Sequence, residues 1–329
     1  MTSPQTSWDL FTNSGKRCDP DLKWPEPPPW RELHSFQLQP TPRSAPPATA
    51  DPSPRPDAAY WDQIPNLAAL EEDNLRRGEV FRLPRKDARE LTDAAERLRL
   101  AVNAAIHLRR PLLVTGTPGS GKTSLAYAIA WELRLGPVLH WAITPRTRLI
   151  EDGLYLYDAL GRLHDSQFAS SASTGPTRPS PDAFPVAEYI TLGPVGTAFL
   201  PFQRPRVLLI DELDKSDIQL PNELLNLFEE GEYPIPQLIR EAKRPHATAP
   251  SFSVRTHDPH VEVSIPPGWV RCNEFPIVVM TSNREREFPA AFHRRCIRVE
   301  MPQPTDEVAF QALVREHFKG GNRQGIAES

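Results

Sequence analysis

The sequence has little of what secreted, membrane-spanning or metal-stabilised proteins need. Its 329 residues include three cysteines, Cys18, Cys272 and Cys296, which lie far apart and form no C-x-x-C pair. This spacing suggests neither a disulfide framework nor a zinc site. No stretch approaches the roughly 18 consecutive apolar residues that cross a bilayer, and no apolar run marks a signal peptide. We therefore expect a cytoplasmic protein in a reducing compartment.

An excess of charge of one sign is also missing. Lys and Arg total 38, Asp and Glu total 42, and the net charge of −4 gives a pI near 6.2. Such a balance provides no global attraction to nucleic acid or to an anionic membrane. The chain also shows no zinc finger, basic stripe or helix-turn-helix, so a nucleic-acid motor is the weaker prediction. We expect neither nucleic acid nor a membrane among its partners.

Proline is abundant but unevenly spread along the chain. Fifteen of the 38 prolines precede Arg85, and residues 1–60 are rich in Pro, Ser, Thr and Asp. Such a composition buries too little apolar surface to offset the entropy of ordering the chain. We therefore predict a mostly disordered arm over residues 1–85, one packed domain over 86–303, and a partial helix and tail over 304–329.

Two further segments differ from their surroundings. Trp24–Arg31 reads WPEPPPWR, and two tryptophans around a polyproline stretch fit two interpretations. One is a peptide that docks on a partner or on the chain's own core, and the other is a linker with incidental aromatic residues. Residues 165–185 are of low complexity, and we predict a mobile insertion there.

From residue 86 onward, apolar periodicity predicts alternating helices and strands. The predicted helices cover residues 88–108, 122–135, 221–230 and 305–318. The predicted strands cover residues 112–115, 138–143, 205–212 and 275–281, with a hairpin at 251–255 and 261–265. This alternation predicts an α/β fold with a mostly parallel sheet that is flanked by helices.

The strongest motif is a glycine-rich loop between the first of these strands and a helix. It consists of Gly116, Thr117, Pro118, Gly119, Ser120, Gly121, Lys122, Thr123 and Ser124. Glycines let such a loop turn its backbone N–H groups toward phosphate oxygens, and the following helix offers its positive N-terminal end. In this pattern Lys122 reaches the β- and γ-phosphates, and the Thr123 hydroxyl is a ligand of Mg²⁺. The loop predicts binding of a nucleoside triphosphate.

Another apolar strand, over residues 205–212, ends in a pair of acids. Asp211 at the carboxyl end of this strand can orient the water shell of Mg²⁺, which makes it a nucleotide and metal residue together with Thr123. Glu212 can polarise the attacking water, because the phosphate loop supplies no base. A solvated acidic turn is the alternative, which the phosphate loop 90 residues upstream disfavours.

Two later positions complete a set of polar groups in a fixed chain order. Asn283 follows the strand at 275–281, and its amide would reach the water or the γ-phosphate if that strand lies between the other two. Arg294 and Arg295 come about twelve residues later. An arginine here is either part of a solvated turn or an arginine finger that neutralises charge on a phosphoryl group.

This ordered set resembles the AAA+ ATPases and, more narrowly, their MoxR-like branch. The segments that carry the resemblance are Gly116–Thr123, Leu192–Leu200, Val207–Gly231, the insertion at 240–272, Thr281–Asn283 and Arg294–Arg295. The resemblance implies a P-loop NTPase fold, with ATP and Mg²⁺ as cofactors. It implies Lys122 and Glu212 as catalytic residues and Asn283 as sensor 1. Because Arg295-Cys296 also resembles the arginine-cysteine of clamp-loader ATPases, Arg295 is the preferred finger and Arg294 the alternate.

The resemblance further implies a function for the assembled protein. A ring, typically a hexamer, would hydrolyse ATP and remodel or activate a partner, which in this branch often carries a von Willebrand factor A domain. Two departures leave an alternative open. The chain has Asp214-Lys215 where the family often has Asn-Arg, and only about 26 residues follow the core, so the helical lid is truncated or minimal. The alternative is a nucleotide-gated oligomeric scaffold with little turnover.

Overall fold

The computed structural model describes residues 8–20, 22–31, 39–40, 57–79, 81, 89–172, 184–244 and 251–302. Within these residues the helices are α1 (Ala58–Trp61), α2 (Leu67–Glu79), α3 (Arg89–Leu108), α4 (Lys122–Glu132), α5 (Ala159–Ala172), α6 (Pro194–Ala198), α7 (Leu220–Glu230), α8 (Pro236–Ala242) and α9 (Ala290–Arg295). The strands are β1 (Gln39–Pro40), β2 (Leu112–Thr115), β3 (Leu139–Ala142), β4 (Tyr155–Tyr157), β5 (Ile190–Leu192), β6 (Val207–Asp211), β7 (Glu232–Pro234), β8 (Phe252–Arg255), β9 (Glu262–Ile265), β10 (Trp269–Arg271), β11 (Ile277–Ser282) and β12 (Ile297–Glu300).

A five-stranded parallel sheet forms the centre of the molecule, in the order β12-β2-β11-β6-β3. Strand β11 therefore lies between the strand of the phosphate loop and the strand of the acid pair, as the site prediction required. The register pairs Thr115 with Ser282 and Ala142 with Asp211. All these strands present their carboxyl ends at one edge, so the polar residues that follow them meet there.

Successive apolar side chains of the central strands point to opposite faces of the sheet and fill one cluster on each face. Val207 and Leu209 belong to the cluster that includes α3 and α4, whereas Leu208 and Ile210 belong to the cluster that includes α7 and α9. This alternation follows from the two-residue period of a strand. The predicted α/β fold, with a parallel sheet flanked by helices, is confirmed.

The strands on either side of the predicted insertion at 165–185 join the predicted hairpin in a second sheet, which the sequence did not reveal. Strands β4 and β5 pair antiparallel, as do β8 and β9, and β5 joins β8 in parallel to give the order β1-β9-β8-β5-β4. The predicted hairpin at 251–255 and 261–265 therefore exists. Strands β7 and β10 form a separate short antiparallel pair.

The predicted insertion at 165–185 is helical over the part that the structure describes. Residues 165–172 belong to helix α5 and do not begin a mobile insertion, because the helix that starts at Ala159 continues through them. Residues 173–183 lie outside the described residues. So does the predicted helix at 305–318, with the rest of the tail at 304–329. Among the residues that the structure does describe, no helix combines the length and the apolar character needed to cross a membrane.

The N-terminal region departs from the predicted disorder wherever the structure describes it. Phe11 is completely buried in the cluster that includes α3 and α4, and helix α2 packs along α4. Trp24 also packs against this cluster, while Trp30 is 68% exposed. In these residues, polar side chains of the core bind the backbone of the segment and supply order that its composition lacks. Residues 1–7, 32–38 and 41–56 lie outside the described residues.

Candidate nucleotide-binding site

The glycine-rich loop connects β2 to α4 with backbone angles that suit glycine. Gly119 and Gly121 have φ angles of 78° and 86°, in the left-handed region that other residues rarely adopt. A Cβ atom at Gly121 would lie 3.4 Å from the Phe81 ring, so this position is also closely packed. Helix α4 begins directly after Gly121 and directs its N-terminal end at the loop. This arrangement is a suitable cradle for phosphate groups.

Lys122 is the first residue of α4 and folds back over the loop. Its Nζ donates hydrogen bonds to the carbonyl oxygens of Gly116, at 2.9 Å, and of Thr117, at 2.8 Å. Burial lowers the pKa of the Lys122 ammonium, and the negative charges of Asp211, Asp214 and Glu212 oppose this shift. The loop therefore holds a single partly desolvated cation close to three carboxylates.

The Asp211 carboxylate lies at the centre of the polar network. The Thr123 hydroxyl lies 3.1 Å from its Oδ1, and Thr281 Oγ1 donates to the same atom at 2.5 Å. His140 Nε2, on β3, lies 3.5 Å from Oδ2. Burial would raise the pKa of Asp211, but the hydrogen bonds from His140, Thr281 and Thr123 outweigh burial and lower it. Asp211 is thus held as a carboxylate beside the threonine hydroxyl of the phosphate loop.

Glu212 leaves the strand through an unusual backbone conformation. Its φ angle is 60°, and its backbone N–H donates to Thr281 Oγ1 at 2.9 Å. The same hydroxyl thus accepts from Glu212 and donates to Asp211, which fixes the two acids relative to β11. The Glu212 carboxylate pairs with Lys215 Nζ at 2.7 Å on the surface. A residue other than glycine is strained in the left-handed conformation, and such strain is frequent at functional sites.

The turn that contains Asn283 is fixed by Asp214. The Asp214 carboxylate accepts hydrogen bonds from the backbone N–H groups of Asn283, at 2.9 Å, and Glu285, at 3.1 Å. Asp214 is only 5% exposed, and Arg284 in the same turn has a φ angle of 65°. The structure therefore brings Asn283 to the same edge as Asp211, and it gives Asp214 a role in holding the turn.

The two candidate finger residues lie apart from this network. Arg295 is the last residue of α9, and its Nε donates to Glu229 Oε1, on α7, at 2.6 Å. Arg294 accepts a hydrogen bond from Arg110 at its backbone carbonyl, at 3.1 Å. The structure thus brings Lys122, Thr123, Asp211, Glu212 and Asn283 together and leaves Arg294 and Arg295 on a different surface.

The residues of the loop and the acid pair fit a nucleotide with Mg²⁺. Among the described residues, the Ser120 hydroxyl oxygen of the phosphate loop is buried and has no hydrogen-bond partner. The neighbouring Thr123 hydroxyl and Asp211 carboxylate are the hard oxygen donors that Mg²⁺ prefers. These groups would hold the nucleotide phosphates and the metal, with the metal bound chiefly through water as is usual for Mg²⁺.

Sequence reasoning missed three residues of the site. The sequence marks Thr281 only as part of the strand end and Asp214 only as a departure from the family pattern. The hydroxyl of Thr281, two residues before the predicted Asn283, was the available signal. His140 carried no signal, because its contact with Asp211 depends on the pairing of β3 with β6.

The fold and the phosphate cradle define a P-loop NTPase. A search with sequence models of protein families matches residues 111–296 to the AAA domain of the dynein-related subfamily. This match covers more than half of the chain, and the chain belongs to that AAA+ family. A comparison with curated protein sequences found no match.

The solved structures to which this chain is similar number 60, and two of them, both of low sequence identity, illustrate the similarity. One is a BchI–BchD magnesium chelatase complex fitted to a cryo-EM reconstruction, with 12% identity and a TM-score of 0.36 over 74% of this chain. The other is PCH-2 of C. elegans, with 17% identity and a TM-score of 0.29 over 71% of this chain. The chain spans 66% of the length of the first protein and 48% of the second.

Proposed function

We propose that this AAA+ protein binds and hydrolyses ATP with the residues at the edge of the central sheet. The observation that supports this proposal is the Thr123–Asp211–Thr281 network, which holds a lowered-pKa carboxylate beside the phosphate loop. Lys122 would bind the phosphates, and Thr123 and Asp211 would hold Mg²⁺, which neutralises phosphate charge when bound. Glu212 would orient and polarise the attacking water, and Asn283 would contact that water or the γ-phosphate.

Two substitutions test the separation between binding and hydrolysis. Lys122→Ala removes the cation of the loop, so we expect ATP binding itself to weaken. Glu212→Gln keeps a polar group beside the water but removes its basicity, so ATP should stay bound while turnover is lost. Fluorescent-nucleotide titration and a steady-state ATPase assay measure the two properties. Equal loss of ATP binding in both variants would contradict a base role for Glu212.

We further propose that the protein assembles into a ring in which Arg295 acts on the nucleotide of a neighbouring subunit. Arg295 is exposed and lies just before β12, whose first residue pairs with the first residue of β2. It therefore lies toward the amino ends of the strands, away from the phosphate loop of its own subunit, which supports this assignment. An arginine finger contributes about 10³-fold or more to turnover in related phosphoryl-transfer systems. Arg295→Ala should therefore lose activity while the isolated subunit still binds ATP.

Mixed rings provide the decisive experiment for this arrangement. Subunits with Arg295→Ala and subunits with Glu212→Gln should each be inactive alone. When mixed, some interfaces combine an intact Glu212 with an intact Arg295 from the neighbour, so partial ATPase activity should return. If co-assembly is shown and no activity returns, the assignment of Arg295 is wrong, and the same experiment with Arg294 follows.

The MoxR-like assignment and the partner are proposals of a different kind. They rest on the resemblance of segments such as Leu192–Leu200 to that branch, and they predict remodelling of a protein with a von Willebrand factor A domain. Affinity purification with the Glu212→Gln variant, which should hold ATP and its partner, tests them. A protein that binds ATP and oligomerises without turnover would instead favour the nucleotide-gated scaffold.

A further inference from the structure

We propose that Glu229 is a positioning residue for Arg295, and that the N-terminal arm fixes Glu229 through Arg31. The described part of the arm that carries Arg31 comprises residues 8–20 and 22–31. This inference rests on the proposed role of Arg295 as a finger, and it adds two residues, on α7 and in the arm, that the sequence did not connect with the site.

The contact between Arg295 and Glu229 has the geometry of an orienting pair. Arg295 uses its Nε to donate to Glu229 Oε1 at 2.6 Å. A guanidinium has five N–H donors in a planar fork, so this contact leaves the two terminal nitrogens for another group. Both side chains are 44% exposed. The pair thus holds the Nε of Arg295 at α7 and leaves the two terminal nitrogens for a phosphoryl group.

An exposed ion pair cannot fix a side chain unless its partner is itself fixed. Isolated surface pairs contribute little because two flexible side chains must be ordered for each contact. Glu229 lies in the last turn of α7, which ends at Gly231 with a φ angle of 67°. The carbonyl groups of a helix end lack partners within the helix and fray readily unless another group binds them.

Arg31 supplies that group from the arm. Its NH1 donates to the Phe228 carbonyl at 2.5 Å and approaches the Glu229 carbonyl at 3.5 Å. The Arg31 side chain is buried, with its guanidinium 5.5 Å from the centre of the Phe275 ring. Burial lowers the pKa of Arg31, and the charge of Glu229 opposes that shift. A cation at the carboxyl end of a helix is also favoured by the helix dipole.

The arm that carries Arg31 is attached along its length. Arg109 donates to the Pro25 carbonyl at 2.6 Å, and Arg204 donates to the Leu22 carbonyl at 2.8 Å. Both donors belong to the core and bind backbone atoms of the arm. The backbone that carries Arg31 is therefore held in place where Arg31 contacts α7. The contacts connect the core, through the arm, to Glu229 and Arg295.

Substitutions of Glu229 test the pair with a matched control on the same turn. Glu229→Ala should lower kcat by about tenfold or more, because the guanidinium is no longer aimed, with the KM for ATP unchanged. Glu229→Gln keeps an oxygen that accepts from Nε and should retain most of the activity. Glu230→Ala removes the same charge from the adjacent exposed residue and should leave kcat unchanged.

Substitutions of Arg31 test the part played by the arm. Arg31→Ala should lower kcat, and Arg31→Lys, which keeps a charged donor, should recover part of the loss. In the Glu229→Ala background Arg31→Ala should have no further effect on kcat, because both act through one contact. A purely structural role would instead give additive losses of kcat and a change in ATP affinity. Additive losses would overturn the proposal.

Arg295→Ala in the same assay separates this inference from the proposed function. If Arg295→Ala keeps full turnover, the finger assignment fails, and the role of Glu229 falls with it. If Arg295→Ala loses turnover while Glu229→Ala has normal or increased kcat, only the positioning role is overturned. Loss of turnover in both, with recovery in Glu229→Gln, supports the proposal.

Discussion

The edge of the central sheet and the N-terminal arm are ordered in opposite ways. At the sheet edge, short motifs follow buried strands, and each polar residue is placed by the strand before it. Along the arm, polar side chains of the core bind backbone groups, as when Asn103 Oδ1 accepts from the N–H groups of Leu10 and Phe11 at 3.0 and 2.9 Å. A segment whose own composition buries little apolar surface can therefore be ordered by the surface on which it docks.

The largest effect on the free energy of unfolding is expected at the buried ion pair that the Tyr60 hydroxyl of the N-terminal region contacts. Arg206 is completely buried and contacts Asp258 Oδ2 at 2.7 Å, while the Tyr60 hydroxyl donates to the same atom at 2.5 Å. Asp258→Ala leaves Arg206 buried without its counter-charge, which should lower the free energy of unfolding by about 3–5 kcal/mol. Urea denaturation measures this. A loss as small as that of the exposed Asp62→Ala would show that the attachment is unimportant.

The same pair gives this attachment a pH dependence. Burial would raise the pKa of Asp258, but the charge and hydrogen bonds of Arg206 and the Tyr60 hydroxyl outweigh burial and lower it. Because the folded pKa is lower than the unfolded value of about 3.9, the stabilisation is complete at neutral pH and is lost as the pH falls through the folded pKa. The stability difference between wild type and Asp258→Ala should therefore shrink in acid.

Phe11 tests whether the arm contributes a true part of the core. It is completely buried, so Phe11→Ala should lower the free energy of unfolding by about 3 kcal/mol. Trp30, in the same arm but 68% exposed, is the matched control, and Trp30→Ala should change stability by at most about 0.5 kcal/mol. Equal and negligible effects in chemical denaturation would restore the prediction of a disordered arm.

Glu132 tests the attachment of the arm backbone. Its carboxylate accepts from the backbone N–H groups of Thr12, at 2.6 Å, and Ser14, at 3.1 Å. Glu132→Ala leaves these donors without their acceptor and should weaken docking of the arm by about 1–3 kcal/mol. Hydrogen exchange of residues 8–20 should become faster, while Glu230→Ala should leave it unchanged. Unaltered exchange in Glu132→Ala would mean that apolar burial alone holds the arm.

The smallest effect is expected in the most recognisable motif. Gly119 has a φ angle of 78°, and a Cβ atom there would meet nothing within 4 Å. Gly119→Ala should therefore lower the free energy of unfolding by only about 1 kcal/mol, because the alanine must adopt the left-handed conformation. Thermal unfolding checks this expectation. A loss as large as that of Phe11→Ala would show that the phosphate loop is as important for the fold as the arm.

Much of the site could be predicted because its signals are local. The glycines before Lys122 and the acids after Val207–Ile210 each depend on the conformation of only a few neighbouring residues. The placement of β11 between its two neighbours was stated as a condition, and the structure satisfies it. The roles of His140 and Asp214 could not be predicted, because each depends on a contact between segments about 70 residues apart.

The arm was predicted less well for a related reason. Composition describes what a segment can bury by itself, but Asn103 lies 93 residues from Leu10 and Glu132 lies 120 residues from Thr12. A window of sequence contains only one side of each contact. The same limit applies to the second sheet, in which β5 joins the predicted hairpin through the pairing of Thr191 with Arg255.

The sequence by itself determined the α/β alternation, the phosphate loop, the acid pair and the position of Asn283, because strand period, glycine conformations and chain order act over short distances. The tertiary structure decided which polar groups meet Asp211, where Arg295 is held and whether the arm is ordered. These outcomes depend on burial and on hydrogen bonds between distant residues, whose free energies exist only once the two surfaces are brought together.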